Sequence, residues 1–199
     1  MVKFDSKIHH RRSIRLQGYD YSQVGAYLVT IVTWRREFLL GEIMNGEMRL
    51  SRYGEIIQKW WEEIPVHFSN VETGAFVIMP NHVHGIIFIL DGRGTVPVPK
   101  DDGENPVLQN NKMPGVIQGG ETPPLQVPTL GQIIAYFKYQ STKEMNGVEN
   151  AGTVTKFWQR NYYEHVIRNE QDLQNKTDYI EANPLLWDED GENPVNVKP

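Results

Sequence analysis

His82 and His84, separated by Val83, are the residues of this sequence best suited to chemistry. Alternate side chains of a β-strand share a face, so both imidazoles point the same way and are close enough to share one cation. The surrounding stretch, residues 74–90 (GAFVIMPNHVHGIIFIL), reads as two strands joined at Pro80-Asn81. Proline suits the second position of a tight turn and asparagine the third. Residues 77–79 and 86–90 are apolar on both strand faces, which places the hairpin centrally in a sheet. Two imidazoles on such a strand need a polar reason to be there, either as partners in a polar patch or as ligands. Two neutral ligands hold Mg²⁺ or Mn²⁺ weakly, so a metal site needs at least one more protein donor. The chain has no cysteine, which excludes thiolate sites and disulfides alike.

The elements that must position these residues can be read from periodicity. Residues 27–34 (YLVTIVTW) are β-branched and aromatic and predict a strand. Ile56, Ile57, Trp60, Trp61 and Ile64 form one apolar stripe of a helix over 52–64, ended by Pro65. Thr129 with Gln132 makes a capping box for a second helix, with Leu130, Ile133, Ile134 and Phe137 as its apolar face and Gly147 as its stop. At about 100° per residue, Tyr136 and Gln140 share a side at the rim of that face, within reach of the two histidines if the helix packs there. Lys143 lies on the same side and Tyr139 points further out. Residues 156–167 look extended and aromatic, and residues 169–181 form a third helix capped by Asn169 and ended before Asn183-Pro184. Strands and helices interleave with a hairpin, which indicates an α+β sandwich with a largely antiparallel sheet.

At 199 residues the chain is long enough for one domain with extensions. The expected organisation is a basic N-terminal arm over 1–24, a domain over 25–187 with a long mobile insertion at about 91–128, and an acidic tail over 188–199. The arm carries Lys3, Lys7, Arg11, Arg12 and Arg15 against Asp5, and the tail carries Asp188, Glu189, Asp190 and Glu192. The hexapeptide Asp-Gly-Glu-Asn-Pro-Val occurs at 102–107 and again at 190–195, and reads as a duplicated surface segment. The net charge of −5 speaks against bulk binding to duplex DNA, although a local basic stripe can still hold nucleic acid. The N-terminus is basic rather than apolar, and no apolar run reaches the ~20 residues of a membrane span, so a cytoplasmic protein without a membrane partner is expected.

The string VIMPNHVHGII at 77–87 resembles the HUH signature of single-tyrosine, insertion-sequence-type transposases, and most closely that of the REP-associated tyrosine transposase branch. Further blocks agree: RSIRL at 12–16, YDY at 19–21, LGQIIAYFKYQSTK at 130–143, WQRNYYEHVIR at 158–168 and YIEANP at 179–184. The resemblance implies a ferredoxin-like fold with the HUH strand in the middle, and a divalent metal, Mg²⁺ or Mn²⁺, on His82 and His84. It implies a nucleophilic tyrosine on a following helix with an amide ligand four residues later. Tyr136 and Gln140 reproduce that spacing. Tyr139 competes, but its partner four residues on is Lys143, which is no Mg²⁺ ligand.

The implied activity is nicking and rejoining of single-stranded hairpin DNA through a 5′-phosphotyrosine, with single-stranded or hairpin DNA as partner and a homodimer left open. Candidate DNA contacts are Arg11, Arg12 and Arg15 of the arm, Lys138 and Lys143 of the helix, and Arg160 and Arg168 beside the aromatics Trp158, Tyr162 and Tyr163. A non-catalytic nucleic-acid-binding module on the same fold is the alternative. A metal-dependent hydrolase of another class is disfavoured because no carboxylate lies near the histidines in sequence.

Overall fold

The computed structural model describes residues 19–91, 127–149 and 155–196. Arg11, Arg12 and Arg15, most of the expected insertion and the first copy of the hexapeptide lie outside the described residues. The main sheet has four antiparallel strands in the order β4-β5-β1-β6, formed by β1 (Gly25–Val32), β4 (Val71–Met79), β5 (His82–Ile89) and β6 (Tyr163–Ile167). With α1 (Arg52–Glu62) after β1 and α3 (Leu130–Glu149) after β5, this is the β-α-β-β-α-β order of a ferredoxin-like sandwich. The histidine strand is one of the two inner strands, as its two-sided apolar sequence requires.

A separate hairpin, β2 (Gly41–Met44) and β3 (Glu47–Leu50), is inserted between β1 and α1. Its turn is Asn45-Gly46, both with positive φ. That dipeptide is the strongest short hairpin signal in any sequence, and it was open to reading here. α1 is capped by Ser51, whose hydroxyl accepts from the backbone N–H of Tyr53 and Gly54. Pro65 does not end helical structure outright but opens one further turn, α2 (Ile64–His67). α3 begins on the expected capping box: Thr129 Oγ1 accepts from Gln132 N–H, and Gln132 Oε1 accepts from Thr129 N–H at 2.8 Å. It runs through Gly147 rather than stopping there.

The two faces of the sheet are built differently. On one, Val29 and Ile31 of β1 and Val83, Ile87 and Ile89 of β5 meet Ile57 and Trp61 of α1 and Ile133, Ile134 and Phe137 of α3. Trp61 stacks on Phe76 at 4.3 Å, and its ring lies so close to β5 that a Cβ on Gly85 would come within 2.3 Å of it. Gly85 is therefore the residue that lets α1 approach the sheet. On the opposite face, Ala26, Ile86 and Ile167 meet Ile180 of α4 (Glu170–Ala182) in a small cluster bordered by Leu28, Phe88 and Leu173. Strand alternation puts His82 and His84 on this second face, with Ile86 and Phe88.

Candidate active site

β5 holds the two imidazoles in register with β1, His82 opposite Val32 and His84 opposite Thr30. Their Nε2 atoms lie 3.0 Å apart, and both side chains are buried, His82 completely. Each ring is oriented from behind. The Asn81 amide nitrogen donates to the carbonyl of Glu192 at 2.8 Å and also approaches that of Arg36. This fixes the amide so that Oδ1 accepts from His82 Nδ1 at 2.8 Å, which leaves Nε2 as the unprotonated nitrogen of His82, facing His84. His84 Nδ1 is held by Thr30 Oγ1 at 2.7 Å. A polar group on the far nitrogen of each imidazole is the arrangement that orients metal-binding histidines. Burial keeps both rings neutral: it drives His82 well below the usual histidine range, helped by His84 and Arg36, and takes His84 down to about 4. Neutral imidazoles are the form that binds a metal.

The helical tyrosine nearest the histidine pair lies on α4, not on α3. Asn169 caps α4 through Asp172 N–H, and Ile180 docks its last turn on the histidine face. The Tyr179 hydroxyl reaches His84 Nε2 at 3.2 Å. Burial raises the Tyr179 pKa, as does the charge of Asp190, while a hydrogen bond from Asn183 opposes them. Asn183 follows Tyr179 by four residues, so one helical turn puts both on the same side. It is buried, and its Oδ1 has no partner. A buried carbonyl oxygen without a partner, on the residue that bonds Tyr179, is a donor left unused by the protein itself.

The chain then turns through a 3-10 segment, Asn183–Glu189, and brings in Asp190. The expected acidic tail is thus folded here, because Asp190 is buried and its carboxylate lies 3.9 Å from His82 Nε2. Since His82 is neutral, this contact is not an ion pair, but it does complete a group of three potential ligands: His82, His84 and Asp190 have donor atoms within 4.8 Å of one another. The expectation that no carboxylate stands near the histidines therefore fails. Asp190 opens the second hexapeptide copy, which is part of the folded structure rather than solvated surface. Glu192 of the same copy pairs with Arg36 at 2.8 Å. Arg35 and Arg36 both have φ of 57°, a conformation that costs a non-glycine residue about 1–3 kcal/mol.

The residues expected on α3 do not join this group. α3 packs on the other face, with Ile133, Ile134 and Phe137 against the odd-numbered side chains of β5. Tyr136 stacks on His67 at 3.9 Å and borders Trp60 and Phe68. Tyr139 is exposed, and neither it nor Gln140 shares a sheet face with the histidines. The helix has the expected apolar stripe but lies across the sheet. Among the expected DNA contacts, Lys138 is spent on the carbonyls of Gln159 and Asn161, and its burial lowers its pKa to about 8. Lys143, Arg160 and Arg168 are exposed. Trp158 and Tyr162 are core residues, whereas Tyr163 is exposed.

No family model matches the chain. It is 38% identical over 192 residues to an uncharacterized protein of Haemophilus influenzae, covering 95% of this chain and 96% of that one. A second Haemophilus influenzae protein, assigned as a REP-associated tyrosine transposase, is 24% identical over 173 residues, which covers 83% of this chain and 73% of the relative. Among solved structures, a REP-associated tyrosine transposase bound to a REP hairpin shares the fold, with a TM-score of 0.53 and 19% identity over 86% of this chain and 72% of the other. The inner-strand histidine pair, the sequence blocks around it and the shared fold converge: the chain is similar to REP-associated tyrosine transposases.

Proposed function

We propose that this protein is a divalent-metal-dependent enzyme that nicks and rejoins single-stranded DNA beside a hairpin, with Tyr179 as the nucleophile. The observation that carries this is the Tyr179 hydroxyl lying 3.2 Å from His84 Nε2, at the centre of a buried donor group. The donors fit Mg²⁺ or Mn²⁺: two neutral imidazoles, the Asp190 carboxylate and the idle Asn183 Oδ1 are oxygen and nitrogen ligands of the right kind. When bound, the metal withdraws charge from the scissile phosphate and orients it for in-line displacement.

The protein groups do the rest. Asn81 and Thr30 hold the two imidazoles in their binding orientation. The rigid last turn of α4 presents the Tyr179 oxygen to phosphorus. That oxygen forms the new P–O bond, the bond to the 3′-oxygen breaks, the phenol proton passes to solvent, and the leaving 3′-oxygen takes up a proton as a 3′-hydroxyl. The 5′-phosphotyrosine retains the energy of the broken bond, so another 3′-hydroxyl can reverse the step and rejoin strands without a nucleotide cofactor. The exposed Lys143, Arg160, Arg168 and Tyr163 are candidates to hold phosphates or stack a base. The His-His-Asp set alone would also suit a hydrolase, and the tyrosine in contact with it favours the covalent route.

The test is incubation of a hairpin oligonucleotide carrying a single-stranded flank with the protein in Mg²⁺ or Mn²⁺, followed by a denaturing gel for a protein–DNA adduct. Wild type, Tyr136→Phe and Tyr139→Phe should form the adduct and Tyr179→Phe should not. An adduct from Tyr179→Phe would defeat the assignment. Hairpin binding without any cleavage by the wild type would instead indicate a binding module.

A further inference from the structure

Arg36 takes no part in the chemistry just described, yet it sits beside it. Its Nη2 pairs with Glu192 at 2.8 Å, and Glu192 N–H donates to the Asp190 carboxylate at 2.6 Å. The Arg36 carbonyl meets the Asn81 amide that orients His82, and its positive charge is felt at His82 itself. Two further observations set this arginine apart. Its Nε is buried with no hydrogen-bond partner, an unused donor of a group that ordinarily spends its donors. It also follows Arg35 in a second consecutive left-handed conformation, where neither residue is glycine. Such strain persists where surrounding structure enforces it, and it concentrates at functional sites. Here Thr33, the residue after β1, enforces it from one side through its hydroxyl, which donates to the Glu37 carbonyl, and Asn81 from the other.

We propose that Arg36 is the oxyanion clamp of the site and grips the non-bridging oxygens of the scissile phosphate when Tyr179 attacks. This assignment rests on the nuclease reading above. A carboxylate already lies against the guanidinium, so the position accepts an oxyanion. A phosphodiester exchanges with Glu192 and takes the idle Nε–H together with an Nη–H. That bidentate fork matches two phosphate oxygens, which a lysine ammonium cannot do. As phosphorus gains its fifth oxygen, these oxygens gather charge, and the clamp strengthens with it.

The experiment compares wild type, Arg36→Gln, Arg36→Lys, Arg36→Ala and Tyr179→Phe on the flanked hairpin oligonucleotide in Mn²⁺. Single-turnover adduct formation is measured at saturating DNA, and hairpin affinity is measured separately by fluorescence anisotropy. Arg36→Gln is expected to slow adduct formation by about 10²–10³ while hairpin Kd stays within about threefold. Arg36→Lys should fall between it and wild type. Millimolar guanidinium should accelerate Arg36→Ala and not Tyr179→Phe, an effect that an arginine of purely structural importance would not produce. An Arg36→Gln rate within about threefold of wild type overturns the clamp, and so does a loss of hairpin affinity as large as the loss of rate. A wild type that forms no adduct defeats the nuclease reading instead.

Discussion

One face of the central sheet is a continuous apolar interior and the other is a small apolar patch wrapped around polar groups. The first buries Ile57, Trp61, Ile133, Ile134 and Phe137 against the odd-numbered residues of β5. Among the described residues, the second has Ala26, Ile86, Ile167 and Ile180 as its buried cluster, beside His82, His84, Asn183 and Asp190. A single strand thus serves both, with alternation separating stability from chemistry by the thickness of one sheet. The lesson is that a residue's role follows from its face: Tyr136 and Tyr179 are both helical tyrosines, but the first stacks on His67 of α2 and only the second reaches the paired imidazoles of β5.

Exchanging tyrosines across the sheet is the sharpest way to break this contrast. Tyr179→Phe should reduce adduct formation at least ~10³-fold, on the scale of losing a nucleophile, while Tyr136→Phe stays within about twofold of wild type, both read on a denaturing gel. A large loss from Tyr136→Phe would show that the apolar face also does chemistry. Next in size, Phe137→Ala should destabilise the fold by about 3–5 kcal/mol in urea titration. Per folded molecule it should leave adduct formation intact, since Phe137 is fully buried on the other side.

Acid should act on the histidine face from near neutrality, above the range in which carboxylates titrate. The folded chain holds His84 neutral down to about pH 4, whereas the unfolded chain protonates it near 6.5. The stability tied to this neutral ring is therefore whole above about pH 6.5 and is lost as pH falls from there towards 4, by about 3 kcal/mol in all. His82 acts in the same direction. Thermal melts over this range should show the slope in wild type and a shallower one in His84→Gln; equal slopes would remove the histidine from the account. Smallest is the α4 cap: Asn169→Ala should cost about 1 kcal/mol, since it frees the N–H of Asp172. Because α4 carries Tyr179, that small loss should be accompanied by slower adduct formation, which the equivalent change at the Thr129 cap of α3 would not cause.

Much of this was legible in advance. Pro80-Asn81 and the apolar runs around it marked the hairpin, and the Thr129–Gln132 pair marked the start of α3. The spacing of His82 and His84 marked one shared face. What the chain did not disclose was which side of the sheet each helix covers. An apolar stripe says that a helix packs, but both faces of an inner strand are apolar here, so Leu130, Ile133 and Phe137 fitted either. Tyr179 and Asn183 had a signal, since they stand four apart on a capped helix ahead of a proline, the same spacing that drew attention to Tyr136 and Gln140. Asp190 had none in local composition. It sits among Asp188, Glu189 and Glu192, whose charges look solvated, and only the turn after Trp187 singles it out.

The contact between Tyr179 and His84 spans 95 residues of chain. Closing so long a loop has an entropic cost that local hairpin and helix formation do not bear. The histidines join β4 through a tight turn and β1 across 54 residues at the Thr30–His84 bond, whereas the groups that face them arrive later, with α4 and the turn after it. During synthesis the imidazole pair is therefore assembled well before anything can complete it. Completion of the buried donor group is a late event in the life of each molecule, timed by the emergence and docking of α4 and the turn that follows it.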